Sequence, residues 1–245
     1  MTAMKYKTAL FASAFFLLFA LAAPAFAQYP MPPRPAPQRI ARVQYIDGEV
    51  SIAPEATNQW STARLYQNLT APEYVWTGKN SRTEINVGDG FIRMNSEASV
   101  TLVNVSRNTV RIGLNQGEVN LTVPHLFPGV IYEVDTPNAT LTVTKSGTYL
   151  VQVYPDQDRT VVTARRGAIV ATGRGSAVTV DSGKQVVFTV KDTLQHTVMK
   201  APPKNGFEDW ASVRDQRLGV GRPPFVFGFG PWPYPPPPPP PVWVR

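Results

Sequence analysis

The sequence predicts an all-β fold, a sandwich or flattened β-roll built from many short strands. Between residues 41 and 195, apolar and polar residues alternate with a period of two, as expected when successive side chains face opposite sides of a sheet. Valine, isoleucine and threonine are common in these runs, and Gly, Asn, Asp and Pro separate them. Spacing typical of helices is missing from the same interval, so helices are expected only after it.

The N-terminus has the pattern of an export signal. Lys5 and Lys7 precede an uncharged stretch, residues 9–23, which is shorter than the roughly 20 residues that span a bilayer as a helix. The motif Ala25-Phe26-Ala27 then supplies small residues at the positions that a signal peptidase reads. We therefore expect residues 1–27 to be a signal peptide, and the mature chain to be periplasmic or secreted without stable membrane insertion. The alternative is an uncleaved anchor helix.

Composition excludes several classes of function. The chain has no cysteine, which excludes thiol catalysis, thiolate metal sites and lipid attachment through cysteine. The formal net charge is +7, but the basic residues are scattered, and Arg165-Arg166 is the only adjacent pair. A nucleic-acid binder concentrates its positive charge on one face, so no nucleic-acid partner is expected.

The chain divides into a linker and two β regions. Residues 28–40 are rich in proline and predict an extended spacer. An N-terminal β region, residues 41–109, is expected to pack with a second β domain, residues 110–195. In the second region Val110–Leu114 and Val119–Val123 each alternate cleanly, and the Gln116-Gly117 pair between them predicts a turn.

One short helix is predicted over residues 205–218. Asn205 can act as its N-cap, and Glu208 stands three residues later in a capping-box arrangement. Acidic residues follow in the first turn and arginines in the last, which suits the helix dipole. An apolar stripe, expected to lie on the β domain, is formed by Phe207, Trp210, Val213 and Leu218.

The middle of the chain resembles the FecR-domain family. The resemblance covers roughly residues 110–190, and it is carried by four motifs in the family's order: LNQGEVNLTV (114–123), YEVDTPNATLTV (132–143), SGTYLVQV (146–153) and TVVTARRGAIVATG (160–173). Three further stretches are similar to secreted FecR-like proteins: residues 41–52, 75–94 and 207–217.

The resemblance implies a periplasmic sensing or protein-interaction module without catalytic residues. Signalling members of the family carry a cytoplasmic segment and a membrane span before the periplasmic domain, and we expect neither here. The implied partner is an envelope protein or a polysaccharide, and no cofactor is expected. A carbohydrate-binding domain for peptidoglycan or exopolysaccharide is the alternative function.

The titratable residues do not predict an active site. Nucleophilic catalysis and metal binding need convergent groups, and the only histidines stand alone in the sequence, namely His125 and His196. Two carboxylate pairs could serve glycoside hydrolysis or calcium binding, Asp47 with Glu49 and Asp156 with Asp158. Both pairs fit turns better, so we expect no enzyme; a hydrolase that uses Asp47 or Glu49 stays the competing hypothesis.

Aromatic residues within the β regions allow two interpretations. They would form a stacking platform for sugars or part of the core, and the core is the expected location because aromatic side chains bury large areas there. The residues concerned are Trp60, Trp76, Tyr132 and Tyr149.

The C-terminal tail, residues 221–245, is rich in proline and aromatic residues. Its seven consecutive prolines, Pro235–Pro241, predict a polyproline II rod. Three aromatic residues flank the rod and are the candidate partner-binding residues: Trp232, Tyr234 and Trp243. Such a rod loses little entropy when it docks in an aromatic groove, and the alternative is a stiff spacer.

Overall fold

A computed structural model of the chain describes residues 40–173, 176–190 and 194–220. Within these ranges lie seventeen strands, one 3-10 turn (Pro155–Gln157) and one α-helix, α1 (Gly206–Arg217). The strands are β1 (Ala41–Asp47), β2 (Val50–Pro54), β3 (Ser61–Thr62), β4 (Asn68–Leu69), β5 (Glu73–Thr77), β6 (Arg82–Val87), β7 (Gly90–Met94), β8 (Ser99–Val105), β9 (Thr109–Val123), β10 (Ile131–Asp135), β11 (Thr140–Val143), β12 (Gly147–Tyr154), β13 (Arg159–Arg166), β14 (Ala168–Gly173), β15 (Ser176–Asp181), β16 (Lys184–Val190) and β17 (Leu194–Lys200).

The strands form two layers that share β9. Among the described residues, sheet A has the order β4-β1-β6-β7-β9-β12-β13-β16-β17. Sheet B has the order β3-β2-β5-β8-β9-β10-β11-β14-β15. All these pairs are antiparallel except β9 with β10. The expected sandwich or flattened β-roll is thereby confirmed, with one short helix following the strands.

Strand β9 passes from one layer to the other at Gly117. Its first half pairs with β8 and β10 in sheet B, and its second half pairs with β7 and β12 in sheet A. Gly117 has a φ of +89°, and a Cβ at this position would lie 2.6 Å from Cα of Ala98. The predicted turn at Gln116-Gly117 is therefore wrong: glycine lets one strand bend between sheets where the pattern suggested two strands.

Hairpins alternate between the two layers along the chain. For example, β12–β13 lies in sheet A, β14–β15 in sheet B and β16–β17 in sheet A. Gly167, with a φ of +82°, makes the crossing from β13 to β14. A Cβ there would lie 2.2 Å from the hydroxyl of Tyr149, so glycine is required for space as well as for conformation.

The core lies between the two sheets and takes one face of each. It consists mainly of valine, isoleucine and leucine at alternate strand positions, which explains the period of two in the sequence. Tyr132 and Tyr149 are fully buried in it, as the core interpretation expected. The Tyr149 hydroxyl donates to the backbone oxygens of Lys145 and Ala168, and so ties β12 of sheet A to the first residue of β14 in sheet B.

Helix α1 begins and ends where the sequence indicates. The side chain of Asn205 accepts a hydrogen bond from the Glu208 amide, and Glu208 accepts one from the Asn205 amide, which completes the capping box. The predicted apolar stripe is only half right, because Phe207 is buried while Val213 and Leu218 are exposed. The helix turns charged residues toward the sheet instead.

Several expectations concern residues outside the described ranges. These are the signal peptide (1–27), nearly all of the linker (28–40) and the tail (221–245). Within the described ranges, no helix combines the length and the hydropathy that a membrane crossing needs.

Candidate functional site

A row of side chains crosses the outer face of sheet A beneath α1. Cross-strand pairing aligns Tyr45 of β1, Glu84 of β6, Arg93 of β7 and Asn120 of β9. In a strand these positions alternate with core residues, so their side chains point away from the core. Glu84 and Arg93 are nevertheless fully buried, because α1 covers this part of the sheet.

Ion pairs join the covered row to the end of the helix. Arg93 Nε lies 2.6 Å from Glu84 Oε2, and Arg214 Nη2 lies 2.7 Å from Glu84 Oε1. Arg93 Nη2 and Asp215 Oδ1 lie 2.8 Å apart, a contact that is an ion pair without hydrogen-bond geometry. Two carboxylates and two guanidinium groups thus balance one another away from water, which burial of charge requires.

A second anchor holds the beginning of the helix. Arg165 of β13 makes two parallel contacts of 2.6 Å to the Glu208 carboxylate, the bidentate arrangement that favours Arg over Lys. Glu208 is buried and also completes the capping box. The Asn205 side chain donates to Glu118 of β9 over 2.7 Å. Both ends of α1 are therefore fixed to sheet A by polar contacts.

Aromatic rings close the side of the helix that faces β1 and β6. The ring centroids of Trp210 and Tyr45 lie 5.4 Å apart, and those of Trp210 and Phe207 lie 5.7 Å apart. The guanidinium of Arg82 stands 5.6 Å from the Trp210 ring centroid, within cation–π range. Because this side is packed, the accessible side of the helix is the opposite one, toward β12 and β13.

Burial and a neighbouring positive charge shift the pKa of Asp215, at the end of α1, in opposite directions. Burial raises the pKa of Asp215 above its ordinary value, and the neighbouring Arg93 partly offsets that rise. The hydrogen bond to Glu84 raises the pKa of Arg214, which keeps that guanidinium charged.

An open cleft of about 410 Å³ lies between α1 and the β12–β13 surface. Thr148 and Arg166 line it on the sheet side, and Lys204, Ser212 and Gln216 line it on the helix side. The Lys204 ammonium donates to the Ser212 hydroxyl over 2.8 Å. The lining holds Arg165, Arg166 and Lys204 together with the carboxylates of Glu208 and Asp215. Arg165 and Arg93 pair with those carboxylates, so the remaining charge is positive and the cleft suits a polar, partly acidic partner segment.

The sequence-derived candidates for catalysis lie in separate places. His125 is exposed in the β9–β10 connection, and His196 is exposed in β17. Asp47 and Glu49 flank the turn between β1 and β2, while Asp156 lies in the 3-10 turn between β12 and β13 and Asp158 directly follows it. Within residues 40–173, 176–190 and 194–220, no group of three His, Asp or Glu side chains is arranged to hold a metal ion.

A second surface feature lies on the outer face of sheet B. Ser51, Trp76 and Ser99 are aligned across β2, β5 and β8, and Trp60 stands beside them. These four residues line a shallow slot of about 290 Å³, hereafter the tryptophan slot. Trp60 is 52% exposed and Trp76 is half-buried on this outer face, so the core was the wrong interpretation for both residues.

The sequence analysis did not identify the charged row, because Glu84 and Arg93 meet Arg214 and Asp215 only through the tertiary fold. One signal was available: Glu84 and Arg93 each stand four residues from the Gly88-Asp89 turn, so a hairpin closed by that turn places them opposite each other. The candidate partner-binding residues in the tail lie outside the described ranges, namely Trp232, Tyr234 and Trp243.

Comparison with known proteins supports the resemblance seen in the sequence. Residues 73–170 match the family described as FecR protein, from the start of β5 into β14. No curated protein matches the chain.

Two crystal structures of a candidate anti-sigma factor from Parabacteroides distasonis resemble the fold at 13% identity and a TM-score of 0.49. The matches cover 60% and 62% of this chain, and 73% and 74% of those chains.

Proposed function

We propose that the FecR region, residues 73–170, is part of an exported, non-catalytic sensing or interaction module that binds an envelope protein in the cleft beside α1. The region supplies the sheet side of that cleft, including Asn120, Thr148, Arg165 and Arg166. The observation that carries the proposal is the buried ion-pair network, because it holds α1 in place and leaves one side of the helix open.

The chemistry of the cleft defines the kind of partner. Arg166 and Lys204 place two positive charges at its rim, and Thr148 and Gln216 add hydrogen-bonding groups. A protein segment with acidic side chains and free backbone groups would satisfy them, since charge complementarity raises association rates and selects partners. The Arg165 guanidinium is already paired with Glu208, so it shapes the cleft rather than serving the partner.

Export is the second part of the proposal, and it rests on the first 27 residues. Expression of the full chain with its signal, followed by mass spectrometry of the envelope fraction, should give a mature N-terminus at Gln28. Recovery of the uncleaved chain with Met1 at its N-terminus would contradict export with cleavage.

Site-specific photo-crosslinking tests the partner surface. A photoreactive residue at Ser212 or Gln216, within the cleft, should give a discrete crosslinked product in native envelopes. The same residue at Thr179, exposed in β15, is the matched control and should give none. Equal products at all three positions, or none at any, would contradict the cleft as the partner site.

Charge reversal sharpens that test. Combining Arg166→Glu with Lys204→Glu should reduce the crosslinked product at least tenfold, because the rim then repels an acidic partner. Arg107→Glu, an exposed reversal in the β8–β9 turn, should leave the yield unchanged.

Polysaccharide binding is the second candidate function, and the tryptophan slot is the observation that favours it. Exposed indoles stack on sugar rings, but sugar sites also need several convergent polar groups. Of the four residues that line the slot, only Ser51 and Ser99 carry polar side chains suited to a sugar hydroxyl network. A glycan pull-down with Trp60→Ala as control would support this function if the wild-type protein is retained and the variant is not.

A further inference from the structure

The tryptophan slot is built by small residues beside a large one. Ser51 and Ser99 stand directly opposite Trp76 on its two neighbouring strands, and these short side chains line the slot beside the indole, which is half-buried. Trp60 forms the adjacent wall, and its ring stacks with Tyr74 at a centroid distance of 6.4 Å. An indole that is half exposed in a pre-formed slot is a feature that an apolar ligand would bury.

The chemistry of the slot fits proline better than sugar. No lining residue is charged, and the nearby Tyr74 hydroxyl already donates to Glu55. Proline-rich segments in the polyproline II conformation dock between aromatic side chains and require few hydrogen-bond donors. Proline rings and indole faces attract each other mainly through the apolar area that they bury. Two tryptophans and two serine hydroxyls are therefore enough to form a binding site for a proline-rich segment.

The same chain carries a matching ligand. Residues 223–244 contain no charged side chain, and the seven-proline run Pro235–Pro241 lies within them. An uncharged slot and an uncharged proline run avoid the desolvation cost that a charged partner would bring.

The tail is long enough to reach the slot from its own molecule. Val220, the last described residue, lines the cleft together with Asn120 of β9. From Asn120 to Gln116 along β9 is about 13 Å at ~3.3 Å per residue, and Gln116 pairs with Ser99 at the slot. The 14 residues from Gly221 to Tyr234 span about 43 Å in a polyproline II conformation.

We propose that the tryptophan slot binds the seven-proline run of this chain's own tail. The tail then passes from the helix cleft on sheet A to the outer face of sheet B and covers Trp60 and Trp76. Attachment provides an effective concentration on the order of 1 mM, so a free-peptide Kd as weak as about 0.1 mM leaves the slot about nine-tenths filled. This proposal stands independently of the partner cleft.

Fluorine NMR of the mature full-length protein labelled with 5-fluorotryptophan tests the proposal. Two forms are compared: the wild type and a variant in which Pro235–Pro241 are all replaced by serine. The resonances of Trp60 and Trp76, assigned with Trp60→Phe and Trp76→Phe, should differ between the two forms. The Trp210 resonance in α1 should stay the same, which shows that the fold is intact.

Adding the peptide of residues 231–245 in trans completes the test. It should return both shifted resonances of the serine variant to their wild-type positions, and it should bind the wild type at least fivefold more weakly because the slot is filled. Trp60→Ala in the serine variant should abolish peptide binding. Tyr66→Ala, which removes an exposed aromatic residue outside the slot, should leave it unchanged.

Three results would overturn the proposal. Identical Trp60 and Trp76 resonances in the two forms would show that the tail does not cover the slot. A shift produced by chito-oligosaccharide but not by the peptide would identify a glycan surface instead. A wild-type spectrum that changes to that of the serine variant on dilution, with dimers in sedimentation, would show that a second copy provides the tail.

Discussion

The outer faces of sheets A and B differ in what covers them: a helix covers one, and the other is open. On sheet A, Glu84 and Arg93 are buried under α1, whereas on sheet B the comparable pair, Arg111 and Asp135, is partly exposed although its atoms lie 2.5 Å apart. The inner faces are alike, so the strand pattern does not distinguish the sheets. The outer residues decide which face receives a covering helix and which stays open for a ligand.

The largest difference between the faces is expected from removing one arginine on each. Arg93→Met leaves Glu84 and Asp215 without their shared counter-charge in a buried site, and we expect a loss of about 3–5 kcal/mol in the free energy of unfolding. Arg111→Met removes an ion pair whose arginine is 45% exposed, so we expect a loss below about 1 kcal/mol. Urea unfolding at neutral pH measures both.

Equal losses of unfolding free energy for the two arginine variants would contradict the difference in burial between the two faces. A small loss for Arg93→Met would mean that water reaches Glu84, and that α1 does not exclude solvent from sheet A. Repeating the unfolding at 1 M salt is a further check, because screening weakens the exposed Arg111 pair much more than the buried one.

The crossing strand β9 links the two faces, and its two glycines should respond differently. Gly117→Ala forces a Cβ to within 2.6 Å of the Ala98 backbone at a positive φ, and we expect a loss of about 2–4 kcal/mol. Gly113→Ala meets only an ordinary contact of 3.7 Å with Thr101 and should cost less than about 1 kcal/mol. Thermal unfolding of both variants would show whether the bend at Gly117 is required.

A buried phenol between the sheets should make stability depend on alkaline pH. Burial raises the pKa of Tyr149 to about 12, above its ordinary value near 10. The folded protein therefore holds this proton more tightly, so a contribution present below pH ~10 is lost as pH rises from about 10 to 12. The expected loss is about 2–3 kcal/mol.

Tyr149→Phe should remove that part of the alkaline dependence, and Tyr66→Phe, at an exposed site, should retain it. Urea unfolding from pH 9 to 11.5 measures the slope for each protein. Equal slopes in wild type and Tyr149→Phe would show that the phenol is not sealed between the sheets.

The helix cap is expected to contribute less than the buried groups do. Asn205→Ala removes the acceptor for the Glu208 amide and the donor to Glu118, and we expect a loss of about 1 kcal/mol. Because these contacts fix α1 and its junction with sheet A, trypsin cleavage after Lys204 should quicken in the variant while sites in sheet B keep their rates. Uniform acceleration across the chain would indicate global rather than local opening.

Much of the scaffold could be predicted from the sequence because the residues that determine it lie close together along the chain. Alternating valines and threonines and the Asn205–Glu208 capping box each act within a few residues, whereas the bend at Gly117 was mistaken for a turn. The FecR resemblance was confirmed, and the matched range begins earlier than the predicted one, at residue 73.

The candidate site was harder to predict because it depends on contacts between distant residues. Arg214 meets Glu84 across 130 positions of sequence, and no local pattern indicates such a pair. The apolar-stripe argument failed at Val213 and Leu218 because the helix docks through charge. Trp60 was assigned to the core because its residue type usually lies there, whereas the serines beside Trp76 left an open slot.

Hydrogen exchange of the α1 amides tests most directly the claim that a charge-anchored helix closes sheet A. In the wild-type protein at neutral pH, the amides of the last two turns of α1 should exchange at least a hundredfold more slowly than in an unstructured peptide, and Arg93→Met should remove most of that protection. Exchange of these amides at the unstructured rate in the wild type would contradict the docked helix, and with it the cleft on which the proposed partner site depends.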